Sequence, residues 1–277
     1  MPTFLVVPQW QGSSSARAMR LVDGAEAIRG DLPSASTRVV EVPTSAGDDR
    51  GSGVARLSSI ALVRERALEA MDGAPEPVIT IGGDCSAELA GLTRSAQRGA
   101  AVVYFDAHPD IHSPATSTSK AFHGMVLRTV LGDGPAELVP DVPLPPEHLI
   151  LAGVRAPDPA EADYLASAPI VSLREPTPES VVAAVTATGA GSVHIHIDLD
   201  VLDPSEVEGM GFPEPFGMSA TGLVACINAL LERWPLAGAG VLEFAPASPQ
   251  DAVNDLPTIL RLIGALSKGR PAVVAAS

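Results

Sequence analysis

The sequence predicts a three-layer αβα fold, in which a central, mostly parallel sheet of eight strands lies between two layers of helices. Eight short runs rich in β-branched residues alternate with longer amphipathic stretches, and such alternation is typical of strand–helix–strand units on a parallel sheet. Most of the short runs are continuously apolar, as strands buried on both faces are. Hydrophobic residues make up 46% of the chain and charged residues 18%, which indicates a large buried core.

The elements follow one another along the chain without a break. The predicted strands cover residues 4–7, 39–42, 78–81, 101–105, 149–153, 170–173, 193–199 and 240–244. The predicted helices cover residues 14–30, 54–72, 86–98, 123–131, 159–167, 178–188, 219–233 and 250–266. Ser219 is predicted as a helix N-cap, and the proline-rich residues 135–146 as a surface loop. Because no repeat or linker interrupts the pattern, residues 1–277 are expected to form a single domain.

The charge balance limits the kinds of partner. The net charge is −15 and the pI is near 4.7, so the surface repels phosphate backbones and anionic lipid, and neither nucleic acid nor membrane is expected as a partner. The apolar run at residues 4–7 is too short for a signal peptide or a membrane span, so a cytoplasmic protein is expected. Two widely spaced cysteines, Cys85 and Cys226, do not form a disulfide framework. A monomer is expected, because the chain ends soon after its last predicted helix.

Three polar residues follow the strand predicted over residues 101–105. They are Asp106, His108 and Asp110, and in extended backbone the residues i, i+2 and i+4 point to the same side. Ligands of open parallel sheets bind beyond the carboxyl ends of the strands. The two carboxylates and the imidazole are therefore expected to converge at a binding site.

A second polar cluster closes the strand predicted over residues 193–199. Its polar members alternate with apolar residues and are His194, His196, Asp198 and Asp200. Buried carboxylates two residues apart repel one another strongly unless cations neutralise them. Either cluster alone is a weak signal that more often marks a turn contact, but the two together at two strand ends predict a metal site.

Three shorter segments complete the pattern. Gly82-Gly83-Asp84-Cys85-Ser86 follows the strand predicted over residues 78–81, and its glycines permit a tight turn into a helix. Asp84 or Ser86 could simply cap that helix. His123-Gly124 opens a later helix, and Glu243 is an acidic residue that ends an otherwise apolar strand.

In this order, the segments resemble those of the ureohydrolase family, which comprises arginases, agmatinases and related amidinohydrolases. The family's segments read Gly-Gly-Asp-His-Ser, Asp-Ala-His-x-Asp, His-Gly and Asp-x-Asp-x-x-Asp-Pro, with a late Glu, and the match spans residues 78–246. The resemblance implies an arginase-like αβα fold and a hydrolase that acts on a small guanidino compound. It also implies two Mn²⁺ ions, which suit carboxylate and imidazole ligands and lower the pKa of a water molecule between them.

The resemblance also implies a set of metal ligands. Asp106 and Asp198 would bridge the two ions. Asp110 would complete one site, and His108 with Asp200 the other. Cys85 stands where most of the family has a histidine ligand. It is either an inert buried cysteine, which leaves that site one ligand short, or a thiolate ligand. Ligation is favoured, because a helix N-terminus and a nearby cation both lower a thiol's pKa.

Other residues have implied roles in catalysis. His123 is similar to the family's proton shuttle to the leaving amine. Glu243 resembles the carboxylate that pairs with the guanidinium, a match of planar groups. Asp110 is also expected to be a catalytic residue, because it would bind one of the two metal ions. His194 and His196 match no ligand position and are expected to be hydrogen-bonded histidines of the core or of the outer shell of the site.

Two loops bear on the substrate. The loop 153–161 resembles the arginase loop whose acidic residue binds the substrate α-amino group, and Asp158 stands at that position. The loop 110–119 resembles the stretch that binds the α-carboxylate through Asn and Ser; Ser119 is retained, and His112 replaces the Asn while keeping a donor. An amino-acid substrate is therefore favoured over agmatine, which has no α-carboxylate.

Cys85 refines the expected reaction. A cysteine at this position is associated with the members of the family that cleave Nω-hydroxy-L-arginine to hydroxyurea and L-ornithine in D-cycloserine biosynthesis, and the sequence is similar to theirs. The alternatives are an arginase or another guanidino-acid hydrolase that tolerates Cys85, and a catalytically inactive binding protein on this fold. A deacetylase of the same fold is disfavoured by Glu243 and the Asp-x-Asp-x-x-Asp-Pro pattern.

Overall fold

The computed structural model describes residues 1–272, so the last five residues of the predicted domain, 273–277, lie outside the described part of the chain. The strands are β1 (Thr3–Val7), β2 (Thr37–Val39), β3 (Val78–Gly82), β4 (Ala101–Phe105), β5 (Leu149–Ala152), β6 (Val171–Leu173), β7 (Val193–Asp198) and β8 (Leu236–Leu242). The α-helices are α1 (Arg20–Gly30), α2 (Leu57–Met71), α3 (Leu89–Gln97), α4 (Val126–Val130), α5 (Pro159–Ser167), α6 (Pro178–Thr188), α7 (Ala220–Arg233) and α8 (Pro249–Leu266).

The eight strands form one sheet in the order β2-β1-β3-β8-β7-β4-β5-β6, and all seven neighbouring pairs are parallel. The predicted eight-stranded sheet is confirmed, and it is parallel throughout. Parallel strands need crossover connections, and the helices that supply them cover both faces of the sheet.

Each face of the sheet has its own hydrophobic core. Helices α1, α6, α7 and α8 pack on one face, whereas α2, α3, α4 and α5 pack on the other. Along β4, for example, Val103 and Phe105 belong to the first core, and Val102 and Tyr104 to the second. The predicted three-layer arrangement is therefore confirmed. Among residues 1–272, no helix combines the length and the apolar character needed to cross a bilayer.

Several predicted boundaries differ from those in the structure. The strand predicted over residues 39–42 is wrong beyond Val39: Val40 still donates to Val6 of β1, but the ladder ends there. Strand β8 begins four residues earlier than predicted. The prediction missed its first four residues, Leu-Ala-Gly-Ala, because none of them is β-branched. The helix predicted over residues 86–98 begins as a 3-10 turn at Cys85–Glu88, and the helix predicted over 14–30 begins only at Arg20.

Other local predictions are confirmed. Ser219 caps α7 by accepting a hydrogen bond from the Gly222 N–H at 3.1 Å. Asp84 caps the 3-10 turn and accepts from the Ser86 N–H at 3.0 Å. The segment predicted as a surface loop has no α-helix or strand over residues 135–145, and two buried leucines, at positions 138 and 144, hold it to the core.

Candidate metal centre

The order of the strands brings the separate sequence motifs to one edge of the sheet. Strands β3, β8, β7 and β4 are consecutive neighbours in the middle of the sheet. Cys85 follows β3, Glu243 follows β8, Asp198 ends β7, and Asp106 follows β4. Because parallel strands end at the same edge, all four side chains lie beyond the carboxyl ends of the strands, where ligands of such sheets bind.

The first ligand cluster joins Asp106, His108 and Asp200, whose donor atoms lie within 4.8 Å of one another. His108 Nδ1 is 2.8 Å from Asp200 Oδ2 and 3.7 Å from Asp106 Oδ1. Burial opposes protonation of His108, but its contacts with Asp106 and Asp200 raise its pKa to about 12. The two carboxylates therefore favour the protonated form of the imidazole.

The second ligand cluster joins Cys85, Asp198 and Glu243. The Cys85 thiol donates to Asp198 Oδ2 at 3.1 Å, and the Cys85 backbone N–H donates to Glu243 Oε1 at 3.1 Å. Burial and then the neighbouring carboxylates, chiefly Asp198, raise the pKa of the Cys85 thiol well above its usual range. Without a cation the position of Cys85 at the start of a helical turn does not produce a thiolate, so ligation requires that a metal ion displace the thiol proton.

The buried carboxylates fit a pair of divalent cations. Burial and then repulsion by Asp200 raise the pKa values of Asp106 and Asp198 well above the usual range. Asp106 Oδ2 and Glu243 Oε2 are buried and have no hydrogen-bond partner among the described residues. Buried polar atoms are normally satisfied, and carboxylate and imidazole groups are the ligands that Mn²⁺ takes. The donor set therefore fits the two metal ions that the resemblance implied.

Asp110 reaches the cluster by a different route from the one expected. Strand β4 ends at Phe105, and Asp110 has a left-handed backbone with φ of 48°. The expectation of a continuous extended segment is therefore wrong. The loop folds back instead, and the Tyr104 hydroxyl donates to Asp110 Oδ2 at 2.9 Å. Burial raises the pKa of Asp110 to about 7.

Glu243 and His123 lie next to each other at the rim of the cluster. Glu243 also has a left-handed backbone, with φ of 63°, and its N–H donates to the Gly83 carbonyl at 2.8 Å. Non-glycine residues rarely adopt this conformation, and strain of this kind is concentrated at functional sites. His123 Nδ1 is 3.6 Å from Glu243 Oε1, and its Nε2 is 3.2 Å from the Ser14 hydroxyl.

A cleft of about 210 Å³ opens onto the cluster. Its lining includes His108, Asp110, His112, Ser119, His123, Asp158, Asp198, Asp200 and Phe212. The other surface clefts described include none of the predicted site residues. This cleft therefore brings four of the predicted ligands, His108, Asp110, Asp198 and Asp200, to one opening with His123 and the predicted substrate-binding residues His112, Ser119 and Asp158.

Two of the predicted substrate-binding residues contact each other. His112 Nε2 is 2.8 Å from Asp158 Oδ2, and Asp158 Oδ1 accepts from the Glu161 N–H at 3.0 Å in a capping box that begins α5. Ser119 is exposed at the mouth of the cleft, where its hydroxyl accepts from the Ala121 N–H. The sequence reasoning missed Glu161, although its spacing three residues after Asp158 is the capping-box signal.

The two histidines of β7 have different surroundings. Both ring nitrogens of His194 have partners, Ser95 at 2.7 Å and Glu88 at 2.8 Å, so the prediction of a hydrogen-bonded core histidine is confirmed for His194. His196 is likewise a buried histidine bonded to Glu88, through Nδ1 at 2.5 Å, but its Nε2 is buried without a partner among the described residues. Sequence reasoning also missed Glu88, whose signal is an acidic side chain within an otherwise apolar helix start.

The chain is similar in sequence to known proteins of one family. A sequence model described as the arginase family matches residues 13–258. The chain is 26% identical over 254 residues to an arginase of Bacillus caldovelox, with 85% of this chain and 84% of the relative covered. It is 29% identical over 261 residues to the Nω-hydroxy-L-arginine amidinohydrolase of Streptomyces lavendulae, with 92% of this chain and 90% of the relative covered.

The fold is also similar to that of solved structures. The arginase of Entamoeba histolytica in complex with L-ornithine superimposes with a TM-score of 0.83 at 21% sequence identity. The superposition covers 96% of this chain and 97% of the arginase. The fold described above is therefore that of a solved structure.

Proposed function

Because this chain belongs to the arginase family, we propose that it is a binuclear manganese amidinohydrolase that cleaves the guanidino group of an arginine-type amino acid. The substrate we propose is Nω-hydroxy-L-arginine, and the products are hydroxyurea and L-ornithine. Residues 1–277 would act as one catalytic domain. Release of hydroxyurea would suit a role in D-cycloserine biosynthesis. A cytoplasmic monomer remains the expectation from the sequence.

The observation that supports the proposal is the convergence of the expected ligands at one strand edge. Cys85, Asp106, His108, Asp198 and Asp200 belong to the two ligand clusters described above, and Asp110 lines the adjoining cleft with His108, Asp198 and Asp200. Membership of the family alone would suit any guanidino hydrolase. The thiol of Cys85 at the centre of the cluster, together with 29% identity to a hydroxyarginine amidinohydrolase, favours the hydroxylated substrate.

Each step of the proposed reaction would depend on particular residues of the chain. When bound, the two Mn²⁺ ions supply a water molecule of lowered pKa as the nucleophile. Glu243 would pair with the guanidino nitrogens and hold the guanidino carbon at the metal edge of the cleft. The bond between that carbon and the side-chain nitrogen of ornithine breaks, and His123 would give a proton to this leaving nitrogen. Asp158, His112 and Ser119 would hold the amino-acid end at the mouth of the cleft.

A kinetic comparison tests the proposal. The Mn²⁺-loaded protein should turn over Nω-hydroxy-L-arginine with a higher kcat/KM than L-arginine, and the product mixture should contain hydroxyurea rather than urea. The metal content measured on the same sample should be two ions per chain. Equal or faster turnover of L-arginine would exclude the hydroxyarginine assignment and favour an arginase, which the relative from Bacillus caldovelox supports.

A catalytically inactive binding protein is the remaining alternative. His123 and Glu243 lie 3.6 Å apart at the rim of an intact carboxylate cluster, which argues for activity. An inactive protein should turn over neither substrate and should purify with less than one metal ion per chain, whatever substrate analogue is added.

A further inference from the structure

A buried hydrogen-bond network lies directly behind the metal cluster. The Glu88 carboxylate is fully buried between two histidines, with Oε1 2.8 Å from His194 Nε2 and Oε2 2.5 Å from His196 Nδ1. The second nitrogen of His194 meets the Ser95 hydroxyl. A buried carboxylate is costly unless it is paired, and here two imidazoles partner both of its oxygens.

Two glycines of β8 leave space for this network. A Cβ added at Gly240 of β8 would overlap the Glu88 carboxylate, and one at Gly238 would press on the His194 ring. Tyr104 of the neighbouring strand β4 stacks on His196, with ring centroids 3.6 Å apart and an angle of 4° between the planes. The His196 ring is therefore fixed by Glu88 at one edge and by Tyr104 on its face.

The network ends in one free nitrogen at the metal cluster. His196 Nε2 is buried and has no hydrogen-bond partner within residues 1–272. Asp106 Oδ2 is buried without a partner in the same part of the chain. Cys85, Asp106 and His196 each place a ligand atom within 4.8 Å of the other two, and all three are buried. Bonds from a transition metal to sulfur, nitrogen and oxygen are roughly 2.0–2.3 Å long, so small side-chain shifts would let one ion contact all three.

We propose that His196 Nε2 is a further ligand of the metal ion that Cys85 and Asp106 hold, and that Glu88 positions it. The inference rests on the proposed metal centre and goes beyond the ligand set given above. An Nδ1–H bonded to Glu88 leaves the lone pair on Nε2, which is the tautomer a metal ion needs. His196, on β7, would thus supply an imidazole to the metal site in which Cys85 replaces the histidine that most of the family has.

Two matched substitutions separate ligation from structural support. His196→Asn keeps an amide N–H close to the position of Nδ1 and removes Nε2. His194→Gln keeps an N–H close to the position bonded to Glu88 and removes the nitrogen that faces Ser95. Both changes therefore preserve a bond to Glu88 at the same depth, but only the first removes the atom that faces Cys85 and Asp106.

The experiment is a titration of the metal-free proteins with Co²⁺, followed by absorption and calorimetry. The wild type should bind two ions, and the ion at Cys85 should give a thiolate-to-cobalt charge-transfer band. His196→Asn should weaken that site more than about 100-fold, whereas Glu88→Gln should weaken it about 10–100-fold, as loss of a group that orients a ligand does. His194→Gln should stay within about threefold of the wild type.

Unchanged Co²⁺ affinity and an unchanged charge-transfer band in His196→Asn would overturn the ligand assignment and leave the proposed function standing. A wild type that binds no metal would overturn both. If His196→Asn does not fold, X-ray absorption of the wild type with two Co²⁺ ions decides. Two imidazoles per two cobalt ions, from His108 and His196, support the assignment, and one imidazole per two cobalt ions excludes it.

Discussion

At the scale of single residues, Cys85 contacts more of the site's other polar groups than its small side chain suggests. Its thiol donates to Asp198, its backbone N–H donates to Glu243, and its ligand atom also lies close to those of Asp106 and His196. A metal ion that binds here must displace the thiol proton, and a thiolate is a softer ligand than the histidine it replaces. The identity of residue 85 should therefore set the metal preference of this site.

We expect Cys85→His to raise Mn²⁺ affinity at that site about tenfold or more and to raise arginine hydrolysis relative to hydroxyarginine hydrolysis. Cys85→Ala is the control and should lower Mn²⁺ affinity, because it removes a ligand without supplying another. Calorimetric titration with Mn²⁺ and parallel assays of both substrates measure these effects. If both variants bind Mn²⁺ as the wild type does, Cys85 is not a ligand.

Asp158 caps a helix and is also a proposed substrate-binding residue, and an alanine substitution would remove both roles at once. It caps α5 through the Glu161 N–H, and loss of such a cap costs about 1 kcal/mol, while its other oxygen faces His112. Asp158→Ser keeps a capping oxygen and removes the negative charge. We expect this variant to raise KM more than it lowers kcat, because uniform substrate binding is lost.

The control for this prediction is thermal unfolding, in which Asp158→Ser should match the wild type more closely than Asp158→Ala does. A large loss of kcat at an unaltered KM would contradict a substrate-binding role for Asp158. Equal KM values for the Asp158→Ser, Asp158→Ala and wild-type proteins would show that Asp158 does not bind the substrate.

At the scale of elements, the turn from β3 into α3 depends on a close backbone approach. A Cβ added at Gly83 would overlap the backbone of Gln9, whereas one at Gly264, exposed in α8, would meet nothing within 4 Å. The same turn positions Cys85, and the Gly83 carbonyl accepts from the N–H of Glu243. Strain at this turn would therefore disturb both stability and the metal cluster.

We expect Gly83→Ala to lower the free energy of unfolding by about 3 kcal/mol or more, since backbone must move to admit the methyl group. Gly264→Ala is the matched control and should raise it by about 0.5–1 kcal/mol, because alanine is favoured over glycine within a helix. Urea unfolding of both variants measures the two effects. A neutral Gly83→Ala would show that the turn can relax.

At the scale of the whole molecule, the buried carboxylates of the site make the stability of the fold depend on pH. Burial raises the pKa values of Asp106, Asp198 and Asp110 above their usual range, that of Asp110 to about 7. In the unfolded chain these groups have pKa values near about 4. A raised carboxyl pKa means that the folded, metal-free protein binds more protons than the unfolded chain in this range, so stability falls as pH rises.

We therefore expect the chelated protein to lose thermal stability as pH rises from about 4 to about 7. Saturating Mn²⁺ should reverse this trend, because the ions bind the ionised carboxylates, and should add about 2.7 kcal/mol per site at a hundredfold excess over Kd. Differential scanning calorimetry with EDTA or Mn²⁺ across this pH range checks both statements. Identical melting temperatures with and without Mn²⁺ at pH 7 would contradict a metal centre in this cluster.

The sequence by itself determined the alternation of strands and helices and the family resemblance. Alternating apolar runs predicted the parallel sheet and its two helix layers, because local hydrophobic period reflects which faces are buried. The acidic and histidine residues after the strands predicted a metal-binding hydrolase of the arginase family. These features are local, so a pattern of a few residues carries them.

Only the tertiary structure decided how those residues meet. The order β3-β8-β7-β4 brings motifs more than a hundred residues apart to one edge, and strand order depends on long-range packing that local pattern does not encode. The left-handed backbones of Asp110 and Glu243 and the burial of Glu88 beside His196 likewise follow from contacts between distant segments. A histidine that the sequence favoured as a core residue therefore becomes, through its neighbours, a candidate metal ligand.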